Sequence, residues 1–274
     1  MHIMFLGTAS AEGYPASFCT CSRCREARRL GGRNIRYRAA ALLDGRLLID
    51  LPPDLYAASL RCGVSLPGVR YVLVTHTHPD HFYVEELRLR APPFSREGAG
   101  GLVLAGSRAA VSRAEEALRG YRGVGVEYLP LRPGVEVELD EYRVTPIPAV
   151  HNVPPGEEPF NYIIGRGGRE VLYALDTGPY GEEQYSLLRG HRLSLVVADA
   201  TMGLLGRGAY RYHMSIADVE ELRRRLVEEG VAGPETRFVL THFSHNGSPP
   251  HDELAGLLEG RGLEAAYDCM EVEA

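Results

Sequence analysis

Three histidines and a carboxylate fall within six residues, His76-Thr77-His78-Pro79-Asp80-His81. Imidazole and carboxylate are side chains that hold zinc, manganese or iron, and several aimed at one point make a metal site. The segment follows Val72-Leu73-Val74, an apolar β-branched run that predicts a buried strand. The ligand-type residues therefore sit where a strand runs out into a loop. The arrangement recurs: His151 follows the apolar run 144–150, Asp176 follows 171–175, and His242 follows 238–241. A lone histidine after a strand is usually structural. Metal-competent residues at four strand ends, counting the first, form a pattern and point to one shared centre.

A second constellation is Cys19-Thr20-Cys21-Ser22-Arg23-Cys24. Thiolates so closely spaced read as three ligands of a structural zinc, which takes four. His245, in Thr241-His242-Phe243-Ser244-His245, is a candidate fourth. The alternative is three loose thiols. Cys62 and Cys269 stand alone and read as buried small residues or bystanders. Five cysteines, an odd count in what the chain start suggests is a reducing compartment, argue against a disulfide framework. His213 is the third point of interest. It precedes a helix whose Ser215 and Asp218 have capping-box spacing, and a helix N-terminus favours anions. Arg211 and Tyr212 beside it are candidates to flank a substrate. Glu12 and the Arg-rich stretch Arg23 to Arg38 read as solvated charge rather than the lining of a mouth. His2, His191 and His251 lack any comparable context.

The elements that must position these residues alternate. Strands are expected over 2–6, 70–75, 102–105, 126–129, 135–139, 142–147, 193–198, 236–240 and 263–269. Hairpins are expected over 38–50, with an Asp44-Gly45 turn, and over 160–175. Helices are expected over 23–30, 54–62, 82–90, 107–119 with Ser107 as N-cap, 216–229 and 251–259. Residues 91–101 read as a loop. No repeat, low-complexity tract or linker interrupts the series. The expectation is one α/β domain over 1–274, with an N-terminal zinc-binding loop at about 13–30.

Composition narrows the classes. Net charge is −6 and the pI near 6.0, which argues against gripping nucleic acid with the whole surface. No long basic arm suited to tRNA is present. All 30 basic residues are arginine, which excludes a lysine nucleophile or Schiff base. No run approaches the roughly 18 apolar residues of a membrane span. The chain start lacks the basic region and long apolar core of a signal peptide, so a cytoplasmic location is expected.

His76, His78, Asp80 and His81, then His151, Asp176 and His242, closely resemble the signature of the metallo-β-lactamase superfamily of binuclear hydrolases. The resemblance implies a four-layer αβ/βα sandwich of two mixed sheets. It implies that His76, His78 and His151 hold one metal, that Asp80, His81 and His242 hold a second, and that Asp176 bridges them. Asp50 matches an aspartate that orients a ligand, although Asp50-Leu51-Pro52 departs from the family's usual Asp-x-Gly. Two such ions, zinc or manganese, share a hydroxide as nucleophile and suit an anionic substrate.

Leu6-Gly7-Thr8, Gly13, Pro15, the cysteine cluster and Thr241-His242-x-Ser244-His245 are similar to the cyclic phosphodiesterase branch that serves carbon–phosphorus lyase. That likeness spans nearly the whole chain. It implies a structural zinc on Cys19, Cys21, Cys24 and His245. It also implies that His213 acts on the substrate, stabilising the phosphate or protonating the leaving alkoxide, with Asp80 the other residue counted as catalytic. The coenzyme-PQQ branch carries a similar cysteine cluster. The expectation is a metal-dependent hydrolase of small phosphodiesters, cyclic ones among them, compatible with a homodimer. The alternatives are a hydrolase or oxygenase on a thioester or PQQ precursor, and a non-catalytic metal-bound scaffold.

Overall fold

The computed structural model of the chain describes residues 1–96 and 100–274. Strand β1 (His2–Gly7) shows why the molecule is layered: Ile3 and Phe5 enter one apolar cluster, Met4 and Leu6 another. A strand apolar on both faces must be covered on both. The first sheet continues with β2 (Ala40–Leu43), β3 (Leu47–Ile49), β4 (Tyr71–Leu73), β5 (Leu102–Gly106) and β6 (Val126–Pro130). The second holds β7 (Val137–Leu139), β8 (Tyr142–Pro148), β9 (Phe160–Arg166), β10 (Arg169–Ala174), β11 (Leu193–Asp199), β12 (Ala232–Thr241) and β13 (Glu264–Ala265). The last strand, β14 (Glu271–Glu273), returns to the first sheet beside β1.

Both sheets are seven-stranded and mixed, in the orders β14-β1-β2-β3-β4-β5-β6 and β13-β12-β11-β10-β9-β8-β7. In the first, β3 to β6 run parallel; in the second, β10 to β13 do. Their inner faces meet through Phe5, Leu43, Ile49 and Leu73 on one side and Tyr142, Tyr162, Tyr173 and Val197 on the other.

Helix α1 (Ser22–Leu30) belongs to the N-terminal loop, where Ala27 packs with Ala9 and Tyr14. On the outer face of the first sheet lie α2 (Leu55–Arg61), through Leu55 and Ala58, and α3 (Arg108–Leu118), through Val111, Ala114 and Leu118. The second sheet is covered by α4 (Glu182–Leu188), α5 (Ile216–Glu228) and α6 (His251–Leu258), which bury Leu188, Val219, Leu222, Leu226, Leu254 and Leu258. The result is the αβ/βα sandwich expected. Ser107 caps α3 by accepting from Ala110 N, and Ser215 and Asp218 close a reciprocal box at α5.

The structure departs from the sequence expectations in three places. Val84–Arg90 is a 3₁₀ segment rather than an α-helix. The strand expected over 263–269 is short, because the chain leaves β13 to cross to the other sheet as β14. Helix α4 was not expected. The loop expected over 91–101 lies in part, at 97–99, outside the described residues.

A further correction concerns sulfur. Cys62 and Cys269 are neither isolated nor bystanders: they form a disulfide, with Cα atoms 5.0 Å apart. They are 207 residues apart in sequence, so only the packing of the chain end against the close of α2 brings them together. The odd count of five divides into three clustered thiols and one bridge.

Candidate active site

The ligand-type residues all lie at C-terminal strand ends. Asp50 follows β3, His76 to His81 follow β4, His151 follows β8, Asp176 follows β10, Asp199 ends β11 and His242 follows β12. Because β3 and β4 run parallel, as do β10, β11 and β12, these ends fall along one edge of each sheet, where α/β folds gather their ligands. Asp50, Asp176 and His242 adopt left-handed backbone angles, φ 66°, 45° and 62°. Non-glycine residues seldom do so, and such strain concentrates at functional sites.

Two groups of side chains converge. His78 Nδ1 lies 2.9 Å from His76 Nε2 and 3.2 Å from His151 Nε2. Ligand nitrogens around one tetrahedral zinc stand about 3.3 Å apart. In the second group His81 Nε2 lies 2.6 Å from Asp176 Oδ2, 3.1 Å from Asp80 Oδ2 and 3.3 Å from His242 Nε2. Asp176 Oδ2 also faces His242 Nε2 at 3.4 Å and His76 Nε2 at 3.7 Å, so it stands between the groups. Buried as it is, Asp176 Oδ2 meets no donor in hydrogen-bond geometry, and the approach of His81 Nε2 is an ion-pair contact. A buried carboxylate oxygen ringed by imidazole nitrogens fits a shared cation.

The imidazoles are also held for such a role. His81 Nδ1 donates to Asp50 Oδ2 at 2.7 Å. Thr75 Oγ1 gives its proton to Asp50 and so accepts from His76 Nδ1 at 3.0 Å. Thr201 Oγ1 gives its proton to Asp199 and accepts from His242 Nδ1 at 2.8 Å. His151 Nδ1 faces the Tyr212 carbonyl at 3.3 Å. Each Nδ1 has its own acceptor, which leaves Nε2 for the cluster; His78 alone turns Nδ1 inward. Outer hydrogen bonds of this kind orient metal ligands. Glu157 adds a clamp: it accepts from Thr77 N and Thr77 Oγ1, both at 2.6 Å, and ties the His76–His81 loop to the loop bearing His151.

Charge is balanced by a proton. Burial pushes the His76 imidazole well down, with His81 adding to the effect. At His81 burial is outweighed by Asp176, Asp80 and Asp50, which hold the ring protonated well above its usual range. Burial opposes ionisation of Asp176 and Asp80 as well, but neighbouring His242 and His81 hold Asp176 well below the carboxylate range, and His81 does the same for Asp80. A divalent ion here would take the place of the His81 proton.

His213 lies beside this cluster. Its Nδ1 is 2.9 Å from Asp199 Oδ2 and 3.4 Å from Asp176 Oδ1. Burial disfavours the charged ring, yet Asp199 and then Asp176 raise it to about 9. Asp199 is fully buried and also accepts from Thr201 N and Thr201 Oγ1, so it cannot turn away. The His213 ring is stacked between Tyr210 and His242, with centroids 5.7 Å away on each side. A cavity of about 380 Å³ opens over these groups, lined by His78, Asp80, His151, Asp176, Tyr210 and His213 among others. Its lining also includes Ser10, Glu12, Ser244 and Asn246.

Sequence reasoning passed over Asp199, although it ends the apolar run 193–198 as Asp176 ends its own. Thr75, Thr201 and Glu157 gave no comparable signal. Glu12, read as solvated charge, instead lines the cavity, where it accepts from Ser10 Oγ at 2.7 Å and Ser244 Oγ at 2.5 Å. Tyr212 lines the cavity, whereas the Arg211 guanidinium lies over the Tyr212 ring. His2 and His191 pair with Glu271 and Glu170, and His251 is buried against Arg36.

The cysteine cluster forms a separate group. Cys19, Cys21, Cys24 and His245 place their ligand atoms within 4.8 Å of one another. His245 Nδ1 lies 3.5 Å from Cys21 Sγ and 3.9 Å from Cys19 Sγ. The edge of a zinc tetrahedron between nitrogen and sulfur is about 3.6 Å, so the group fits that ion. Cys21 caps α1, and the hydrogen bond from Cys24 N lowers its thiol to about 6. Burial raises Cys24 to about 12.

Comparison with known proteins places this geometry. No curated protein matches the sequence. Among solved structures, a diphosphatase of the PhnP family aligns with a TM-score of 0.74 and 23% identity, covering 100% of this chain and 97% of that one. Zinc-bound PqqB from Methylobacterium extorquens aligns at 0.75 and 18%, with 100% of both chains covered. Human tRNase Z, short form, aligns at 0.64 and 16%, covering 100% and 99%. These likenesses establish the fold. The family model described as "Beta-lactamase superfamily domain" matches residues 45–243, the span holding Asp50, the His76–His81 segment, His151, Asp176, Asp199, His213 and His242. The chain belongs to that superfamily, whose members are metal-dependent hydrolases of the metallo-β-lactamase fold.

Proposed function

We propose that the chain is a phosphodiesterase dependent on two divalent ions, zinc or manganese. His76, His78 and His151 would hold one ion, Asp80, His81 and His242 the other, with Asp176 between them. A third ion, a structural zinc, would sit on Cys19, Cys21, Cys24 and His245. Bound at the His/Asp cluster, two divalent ions supply a nucleophile at neutral pH and neutralise charge on phosphoryl oxygens.

The observation that carries the reading is the Asp199–His213 pair on the rim of that cluster. Asp199 takes the Nδ1 proton, which fixes the tautomer and leaves Nε2 for the cavity. With its affinity for protons raised, His213 can hold a proton at Nε2 and hand it to a departing oxygen. An alkoxide is a poor leaving group and needs that proton. A phosphate leaving a diphosphate does not. The pair therefore favours a diester over the anhydride suggested by the diphosphatase neighbour. Nor does a thioester, whose thiolate departs unaided, call for it. A non-catalytic scaffold has no use for a buried carboxylate that orients a cavity-facing histidine.

The test is a leaving-group comparison on metal-loaded protein. His213→Ala should lower kcat for alkyl diesters by about 10²–10⁴-fold. It should affect a bis(p-nitrophenyl) diester far less, and leave metal content unchanged. Equal losses on both substrates would remove His213 as the acid, and loss of metal would make it a ligand.

A further inference from the structure

The cavity contains a charge that the proposed chemistry does not use. Among the described residues that line it there is no arginine, and the chain has no lysine. Two nearby guanidiniums are engaged elsewhere, and that of Arg211 lies over the Tyr212 ring and is not part of the lining. Arg23 donates to the carbonyls of His245 and Asn246, and Arg38 pairs with Asp54 and donates to the Ala11 carbonyl. What the lining does present besides the histidines and aspartates is Glu12, with Ser10, Ser244 and Asn246. The Glu12 carboxylate is not a loose surface group. One oxygen accepts from Ser10 and the other from Ser244, and the Oε1 side faces His245 Nε2 at 3.9 Å. Swinging out to make room for an anion would break both hydrogen bonds. Each of its oxygens keeps a lone pair for a further donor.

We propose, resting on the phosphodiesterase reading, that Glu12 sets specificity. The cavity takes a diester whose organic part is uncharged and bears hydroxyls, and it rejects one carrying a second phosphate. The scissile phosphate has the cationic cluster to neutralise it. A second phosphate would meet a fixed carboxylate and no guanidinium in the lining, and like charges brought together repel. A sugar hydroxyl meets two acceptor oxygens, two serine hydroxyls and the Asn246 amide.

The experiment compares adenosine 2′,3′-cyclic phosphate with its 5′-phosphorylated counterpart on metal-loaded protein. The wild type should prefer the first by at least about tenfold in kcat/KM. That preference should shrink as salt rises, because a steric origin would not be screened. Glu12→Gln should reduce the ratio to within about threefold, and Asn246→Arg should narrow it independently of Glu12. Zinc content and melting temperature report whether each variant keeps its fold. Equal use of both substrates by the wild type, or a ratio unmoved by salt and by both substitutions, overturns the inference while leaving the phosphodiesterase reading intact. Failure to hydrolyse either compound while a bis(p-nitrophenyl) diester is turned over overturns the inference alone, and failure on all three overturns both.

Discussion

Two ligand clusters meet in this molecule, and they are built in opposite ways. They share one short segment: His242 enters the His/Asp cluster and His245, three residues on, enters the cysteine cluster. The His/Asp cluster draws on the ends of strands in both sheets. His76, His81, Asp176 and His242 are buried, and each imidazole that presents Nε2 has a dedicated acceptor for Nδ1. The cysteine cluster draws three of its four ligands from six residues of one loop. Cys21 is exposed, and the apolar support beneath is small, Ala9, Tyr14 and Ala27. A sheet-end site is shaped by the core and keeps its geometry without an occupant. A loop site with so little core depends on its ion for order.

This contrast can be broken or sharpened. The largest effect is expected at the loop. Cys21→Ser should remove one zinc per chain and cost about 3 kcal/mol, the stabilisation a ligand contributes at about a hundredfold over its Kd. His78→Ala should remove metal from the other cluster with little change in melting. If both variants melted alike, the contrast would be wrong. Next comes the disulfide, which tests whether sulfur acts by one mechanism or two. Reductant should cut Cys62–Cys269 and lower stability by about 2–4 kcal/mol. Zinc at Cys19, Cys21 and Cys24 should be retained under the same treatment, and zinc release together with the thermal shift would contradict this.

Smaller effects probe the outer hydrogen bonds. Asp50→Asn should weaken metal binding at the His/Asp cluster by about 10–100-fold, read by competition with a chelator. Unaltered affinity would mean that Asp50 only supports the fold. The smallest effect is a slope. In the metal-free protein the raised His81 ring carries a proton, and a bound ion must expel it. The logarithm of metal affinity should therefore rise by about one per pH unit below the His81 pKa, and fall as the solution is acidified. Calorimetry in buffers of differing ionisation enthalpy counts the proton, and a count of zero would refute the charge balance described above.

How far the sequence reaches differs between the two clusters for the same reason. Cys19, Cys21 and Cys24 are neighbours, so their spacing alone announces them. His76, His78, Asp80 and His81 do likewise. His151, Asp176 and His242 are legible because each breaks a run of apolar residues, and the end of a buried strand is one of few places where a polar side chain can face a cavity. Asp199 bears the same mark. Thr75, Thr201 and Glu157 do not, since hydroxyls and exposed acids are common and only their partners give them meaning.

The order of apolar and polar residues thus determined that strands and helices would alternate, that both faces of the sheets would be covered, and which residues could bind metal. Tertiary structure decided what depends on distance between remote segments. It set which imidazole nitrogen points inward, that Asp199 holds His213, that Glu12 closes a cavity 232 residues ahead of its partner Ser244, and that Cys62 finds Cys269. Local periodicity records what each residue does to its own segment. A contact between segments becomes definite only when two sheets stack and the crossing chain brings both ends to one place.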